Sequence, residues 1–179
     1  MRGGDGMDSF TKKILIVLGI YVIFAVLILF QTTFMLSYIP SSSMEDTIMT
    51  GNVVFSTRYG VKEEDIERFD ILVFIPPDNT DITYIKRVIG LPGETIEVRE
   101  GKVYANGVEL DDSFIKDSHK QIGDGVYEVL ERCYFFMGDN WNNSKDSRFW
   151  ENPYVSIDDI QAKARFIISD AVSLSYNLI

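Results

Sequence analysis

The sequence contains one cysteine, Cys133, and one histidine, His119. These are too few for a structural zinc site, and the cysteine has no partner for an internal disulfide. Positive charge is also scarce: 17 lysines and arginines stand against 27 acids in 179 residues, a net charge of −10 with histidine neutral. Nucleic-acid binding needs a basic face, so that class of function is excluded. Beyond the N-terminal region there is no long helical period, internal repeat or low-complexity tract. Apolar side chains, by contrast, are plentiful: 46% of residues are hydrophobic and 13% aromatic, enough for one domain with a substantial core.

The apolar residues are concentrated near the start. No charge occurs from Ile14 to Met44, and ILIVLGIYVIFAVLILF contains only apolar residues and glycine apart from the phenolic tip of Tyr21. Continued through Leu36, the stretch reaches the roughly 20 residues that a spanning helix needs. It is longer than the apolar segment of a cleavable leader, and no Ala-x-Ala site follows it, so it reads as an uncleaved anchor. Arg2, Lys12 and Lys13 precede it, while the rest of the chain is strongly acidic. The positive-inside rule then divides the chain into a cytoplasmic N-terminus (1–13), a transmembrane helix (14–36) and an extracytoplasmic domain (37–179).

Within that domain, short β-branched and aromatic runs recur between turn signals. Strands are expected at 52–55, 71–75, 82–89, 95–98, 102–105, 126–130, 133–137 and 164–168. TIEVREGKVYANGVEL is the clearest hairpin, turning at Glu100-Gly101 and again at Asn106-Gly107. The fold class is therefore mainly β: a single β-rich domain of coiled antiparallel sheets on one N-terminal transmembrane helix. Cys133, in the run CYFFM, reads as a buried core residue, and the polar stretch 111–125 as a surface excursion.

Three segments carry polar residues that this pattern does not require. IPSSSMEDTIM (39–49) follows the anchor and, on its residues alone, also reads as a linker. In DITYIKRVIGLPGE (81–94), strand alternation places Lys86 on the face of Ile82, Tyr84 and Val88, where a lysine must snorkel, find a partner or lose its proton. MGDNWNNSKDSRFW (137–150) runs from an apolar strand into a dense polar turn that Asx-turns alone would explain. A shared chemistry links the three, because a serine hydroxyl is a weak nucleophile that needs a base. His119 lies in a polar stretch with no apolar framing and reads as a solvated surface residue. Lysine is the other candidate: desolvation that lowers its pKa by roughly 3 units brings the free amine from about one molecule in 2,500 at pH 7 to the order of tens of per cent.

From the anchor onward the chain resembles bacterial type I signal peptidases, membrane-anchored Ser/Lys proteases. Four boxes match in order: PSSSMEDT (40–47), RFDILVF (68–74), YIKRVIGLPGE (84–94) and GDNWNNSKDSR (138–148). The length and single span resemble the compact Gram-positive form. The resemblance implies a serine endopeptidase, signal peptidase I, that removes signal peptides from exported preproteins by cutting after small residues at −1 and −3. It implies Ser43 as nucleophile and Lys86 as general base, with Ser41 and the Ser43 N–H as oxyanion hole. Ser144 would orient the Lys86 amine, and Asp146 and Arg148 would support that loop. Ile39, Met44, Ile48, Tyr84 and Ile85 would line the substrate pockets. Gly138, Asp139 and Asn140 would shape a turn, with structural consequences if changed.

The implied partners are signal peptides and the lipid bilayer. No cofactor, metal or obligate oligomer is implied, so chelators should leave activity intact. Two positions depart from the family pattern: Asp46 replaces a usual proline, and Trp141 stands where arginine often occurs. An inward Asp46 carboxylate would stabilise protonated Lys86, so it is expected to face water. A specialised pilin- or surface-protein-processing peptidase and an inactive assembly factor of the same fold are the alternative readings. Asn142-Asn143-Ser144 fits the glycosylation pattern by chance.

Overall fold

The computed structural model describes residues 8–113, 115 and 123–168. Two compact units are present, one ending at Phe34 and the other beginning at Met35. The first is essentially one helix, α1 (Ser9–Thr33), whose N-terminus is capped by the Asp8 carboxylate accepting from the Thr11 N–H at 3.0 Å. At 1.5 Å per residue its 25 residues extend about 37 Å, enough to cross a hydrocarbon layer of about 30 Å. The helix begins five residues before the apolar stretch 14–36 and ends three residues before its close. Residues 34–36 are extended instead and open a strand.

The second unit is built on two sheets. The seven-stranded sheet has the order β1-β2-β11-β3-β4-β9-β10. Its members are β1 (Phe34–Tyr38), β2 (Val53–Thr57), β3 (Ile71–Phe74), β4 (Tyr84–Gly90), β9 (Cys133–Met137), β10 (Val155–Ser156) and β11 (Ile160–Ile168). A four-stranded sheet of order β7-β6-β5-β8 comprises β5 (Thr95–Arg99), β6 (Lys102–Ala105), β7 (Val108–Glu109) and β8 (Gly125–Glu128). Both anticipated hairpin turns form. Arg99 pairs with Lys102 around Glu100-Gly101, and Ala105 with Val108 around Asn106-Gly107. All four turn residues have positive φ, as the tight turns that match strand twist require.

Three short or terminal strands, β1, β7 and β10, escaped the sequence reading. The start of β1 falls within the stretch assigned to the apolar span 14–36, and β7 and β10, with two residues each, carry too little alternation to register. Most of 111–125, including His119, lies outside the described residues.

β9 explains how the layers join. Phe135 and Met137 pack into a cluster with Ile89, Ile96, Val98, Val103 and Trp141, whereas Tyr134 and Phe136 enter a second cluster with Leu72, Phe74, Val88 and Trp150. Period-two alternation thus buries both faces of one strand. Each fully buried aromatic contributes on the order of 2–3 kcal/mol. Cys133, at the start of the same strand, is only half-buried because it lies at the rim of the first cluster. Ile39, Met44, Ile48 and Val54 form a third cluster, joined by Ile71, Ile85 and Ala164.

Candidate active site

Ser43 and Lys86 meet although they are 43 positions apart: the lysine amine lies in hydrogen-bond contact with the serine Oγ, and both side chains are buried. Lys86 sits in the middle of β4, whose pairing with β3 sets Leu72 opposite Lys86 and Ile71 opposite Arg87. That register fixes which face of the sheet Lys86 projects from. Burial outweighs the attraction of Asp146 and Asp139 and lowers the Lys86 pKa from 10.5 to about 8, with Arg148 pushing the same way as burial. The Tyr84 ring, two residues earlier on the same face, has its centroid 5.5 Å from the amine.

The nucleophile segment is held by a helical turn, closed by the Ile48 N–H donating to the Met44 carbonyl at 2.8 Å. This turn corrects part of the pocket expectation. Met44 and Ile48, four residues apart on one face, both point into the third core cluster and have no exposure. Ile39, Tyr84 and Ile85 do line the cleft, a cavity of about 1110 Å³ that also contains Ser41, Ser43, Lys86 and Ser144. Ser41 Oγ lies 3.4 Å from Ser43 Oγ. Asp46 is exposed, as its unpaired burial cost led one to expect.

Ser144 departs from expectation. Its hydroxyl is buried without a hydrogen-bond partner, so the anticipated bond to Lys86 is not formed. The amine's contact is taken by Ser43, while Ser144 packs against Gly138. A Cβ built on Gly138 would meet Ser144 Oγ at 2.2 Å and the Ser43 carbonyl oxygen at 2.4 Å. Gly138 therefore does more than shape a turn: its missing side chain lets the two serines approach one backbone.

The polar loop is fixed from below. Asp146 accepts from Arg148 Nε at 2.8 Å and Nη2 at 2.9 Å, and from the Gly138 N–H at 2.9 Å, while Arg148 Nη2 donates to the Trp141 carbonyl at 3.1 Å. Trp141 is buried in the first cluster, with the Arg148 guanidinium 5.4 Å from its ring centroid.

A second ion pair went unread in the sequence. Arg87 donates bidentately to Asp139, at 2.8 Å from Nε and 2.5 Å from Nη2, and also to Phe69 O at 3.1 Å and Thr47 Oγ1 at 3.2 Å. Thr47 in turn donates to Asp139. This network ties β4, the nucleophile turn and the polar loop together. The available signal was the Lys86-Arg87 pair itself: adjacent charges on opposite faces of an apolar strand demand a partner on both. Among the described residues, no group of three or more His, Cys, Asp or Glu side chains is arranged to hold a metal ion.

A family model described as signal peptidase, peptidase S26, matches residues 11–169. The "Probable signal peptidase I-2" of Synechocystis sp. is 40% identical over 118 residues, covering 63% of this chain and 54% of the relative. The "Signal peptidase I" of Pseudomonas aeruginosa is 29% identical over 177 residues, covering 76% and 62%. The "Signal peptidase I P" of Bacillus subtilis subsp. natto is 32% identical over 119 residues, covering 62% and 64%. The chain thus spans between about half and two thirds of the length of these relatives. A crystal structure of a signal peptidase I from Enterococcus faecalis V583 is 32% identical, with a TM-score of 0.47, and the match covers 55% of this chain and 95% of that one.

Proposed function

The chain belongs to the signal peptidase family, peptidase S26, and on that premise we propose that it is a membrane-bound serine endopeptidase that removes signal peptides from exported preproteins with a Ser43/Lys86 dyad. The observation that carries this reading is the buried contact between the Lys86 amine and Ser43 Oγ, made inside an open cleft. With its pKa lowered to about 8, about one Lys86 in ten is a free amine at pH 7, against about one in 2,500 for an ordinary lysine. A neutral amine accepts the hydroxyl proton as Ser43 Oγ attacks the scissile carbonyl.

The oxyanion that forms is held by the Ser43 N–H and the Ser41 hydroxyl. Lys86, now an ammonium, passes its proton to the departing amine. In the second half of the cycle it takes a proton from the water that hydrolyses the acyl-enzyme. The orphan Ser144 hydroxyl offers the amine a partner once Ser43 has turned to the substrate, which is the orienting role assigned to it; a buried hydroxyl left without one costs about 1–3 kcal/mol. Asp146 and Arg148 hold the loop that carries Ser144.

Ile39, Tyr84 and Ile85 form the apolar lining that receives small residues before the cut. Helix α1 spans the bilayer with its N-terminus cytoplasmic, and the catalytic unit lies on the outer side. Tethering enzyme and signal peptide in one bilayer raises their effective concentration.

The test is cleavage of a preprotein bearing an Ala-x-Ala site by the detergent-solubilised full chain. The expected result is processing by the wild type, loss of it in Ser43→Ala and Lys86→Ala, and full activity in His119→Ala. A folded wild type that cuts nothing, or a fully active Lys86→Ala, overturns the reading.

A further inference from the structure

Resting on that reading, we propose that Asn140 is a positioning residue that aims the Ser43 N–H at the substrate oxyanion. The inference starts from the hydrogen bonds between the polar loop and the nucleophile segment. Asn140 Nδ2 donates to the Ser42 carbonyl at 3.2 Å, and the Asn140 backbone N–H donates to the Ser43 carbonyl at 3.1 Å. Asn143 Nδ2 adds a bond to the Ser42 hydroxyl.

The Ser42 carbonyl and the Ser43 N–H belong to one peptide unit. That unit is planar and trans, so its C=O and N–H point in nearly opposite directions. The bond from Asn140 to the carbonyl oxygen, made beside the one from the Glu45 N–H, therefore helps to set the direction of the Ser43 N–H on the far side of the same plane. Among the described residues, the Ser43 N–H makes no backbone–backbone hydrogen bond, which leaves it available to a developing negative charge. The bond to the Ser43 carbonyl fixes the next peptide unit as well, and the glycine at 138 lets that carbonyl approach the loop. Asn140 thus bonds to two consecutive peptide planes.

The orienting groups are themselves anchored. Asn140 is buried and directly follows Asp139, the partner of Arg87. The Ser42 carbonyl also accepts from the Glu45 N–H at 3.1 Å, within the nucleophile turn itself, so losing the Asn140 side-chain donor removes the one side-chain bond that ties this plane to the polar loop, without removing any group that touches substrate. An oxyanion donor acts only when charge develops, so its misalignment lowers kcat and leaves ground-state binding intact.

The experiment compares wild type, Asn140→Ala and the near-isosteric Asn140→Asp in the full-length detergent-solubilised protein. Asn140→Asp keeps the backbone bond but loses the side-chain donor. Three quantities are read: kcat and KM on an Ala-x-Ala preprotein across pH 6 to 10, affinity for an uncleavable substrate peptide, and affinity for a peptide aldehyde ending in Ala-x-Ala. The aldehyde reports on the oxyanion hole because Ser43 Oγ bonds to its carbon, the carbonyl electron pair moves onto oxygen and the serine proton passes to Lys86.

Both variants are expected to lose about ten- to a hundredfold in kcat, with KM and peptide affinity within about threefold of wild type. Aldehyde affinity falls by the same factor as kcat; in Asn140→Ala the basic limb stays at its wild-type pH, whereas the added carboxylate of Asn140→Asp moves it upward. Full kcat in either folded variant overturns the proposal. So does a loss shared by uncleavable peptide and aldehyde, or a displaced basic limb in the neutral Asn140→Ala, which would assign Asn140 to packing or to Lys86. Wild-type cleavage that fails altogether strikes the proposed function instead, so the two failures are distinguishable.

Discussion

The pH dependence of cleavage carries the sharpest test of the dyad, because three candidate bases give three different curves. With the Lys86 pKa at about 8, the free-amine fraction is about one tenth at pH 7 and nine tenths at pH 9. At substrate concentrations well below KM, kcat/KM should therefore rise about tenfold over that interval, reach half its plateau near pH 8 and level off by pH 9.5. An unperturbed lysine would give about a hundredfold rise over the same interval without a plateau, and an imidazole base only about a 1.3-fold rise.

The same shift predicts a stability profile. Between about pH 8 and 10.5 the unfolded chain binds the lysine proton and the folded chain does not, so unfolding free energy rises with pH across that window. Below it the folded state bears a penalty of about 3 kcal/mol for holding a buried ammonium. The difference in denaturant unfolding between wild type and Lys86→Met isolates this contribution from other titrating groups. The variant should be inactive and lack the rise. A kcat/KM profile that is flat above pH 7, or still climbing with unit slope at pH 10, refutes the reasoning.

Gly138→Ala places a methyl 2.4 Å from the Ser43 carbonyl oxygen and 2.7 Å from Ser144 Cβ, so the site must shift; at least about tenfold loss of kcat is expected from displaced reacting groups, read by steady-state kinetics. Asp139→Ala strands the buried Arg87 guanidinium and should cost about 3–5 kcal/mol in denaturant unfolding, with part of the loss recovered in the Arg87→Met, Asp139→Ala double variant. Met44→Ala opens a cavity in the third cluster and should lower stability by about 2–5 kcal/mol without changing the residues accepted at −1 and −3; Ile85→Ala should change that preference in a panel of cleavage-site peptides. Ser41→Ala removes a hydroxyl beside Ser43 and should lower kcat about a hundredfold at unchanged KM.

Much of this was legible in the sequence. A charge-free apolar run reads as a span, a core helix or a leader segment, and its length made it long enough to cross a bilayer. Alternation and Gly-containing turns declared the β6 hairpin to the residue, because period and turn chemistry are local properties. Lys86 stood out as a charge on an apolar strand face, whereas the roles of Ser43 and the polar loop came from the resemblance of their boxes to the family's motifs.

What remained hidden depended on how distant segments close upon one another. Whether Met44 and Ile48 faced the cleft or the core was decided by the helical turn after Ser43 and by Val54 behind it. The side-chain bonds joining 42–43 to 140–143, and Arg87 to Asp139, cross 40 or more residues and have no sequence period to betray them. The lysine pKa is likewise a tertiary quantity, since it is set by burial against strands remote in the chain. Residue types supply the chemical vocabulary of the site. Long-range packing decides which of them meet, because proximity between distant segments is a property of the folded backbone rather than of any local pattern.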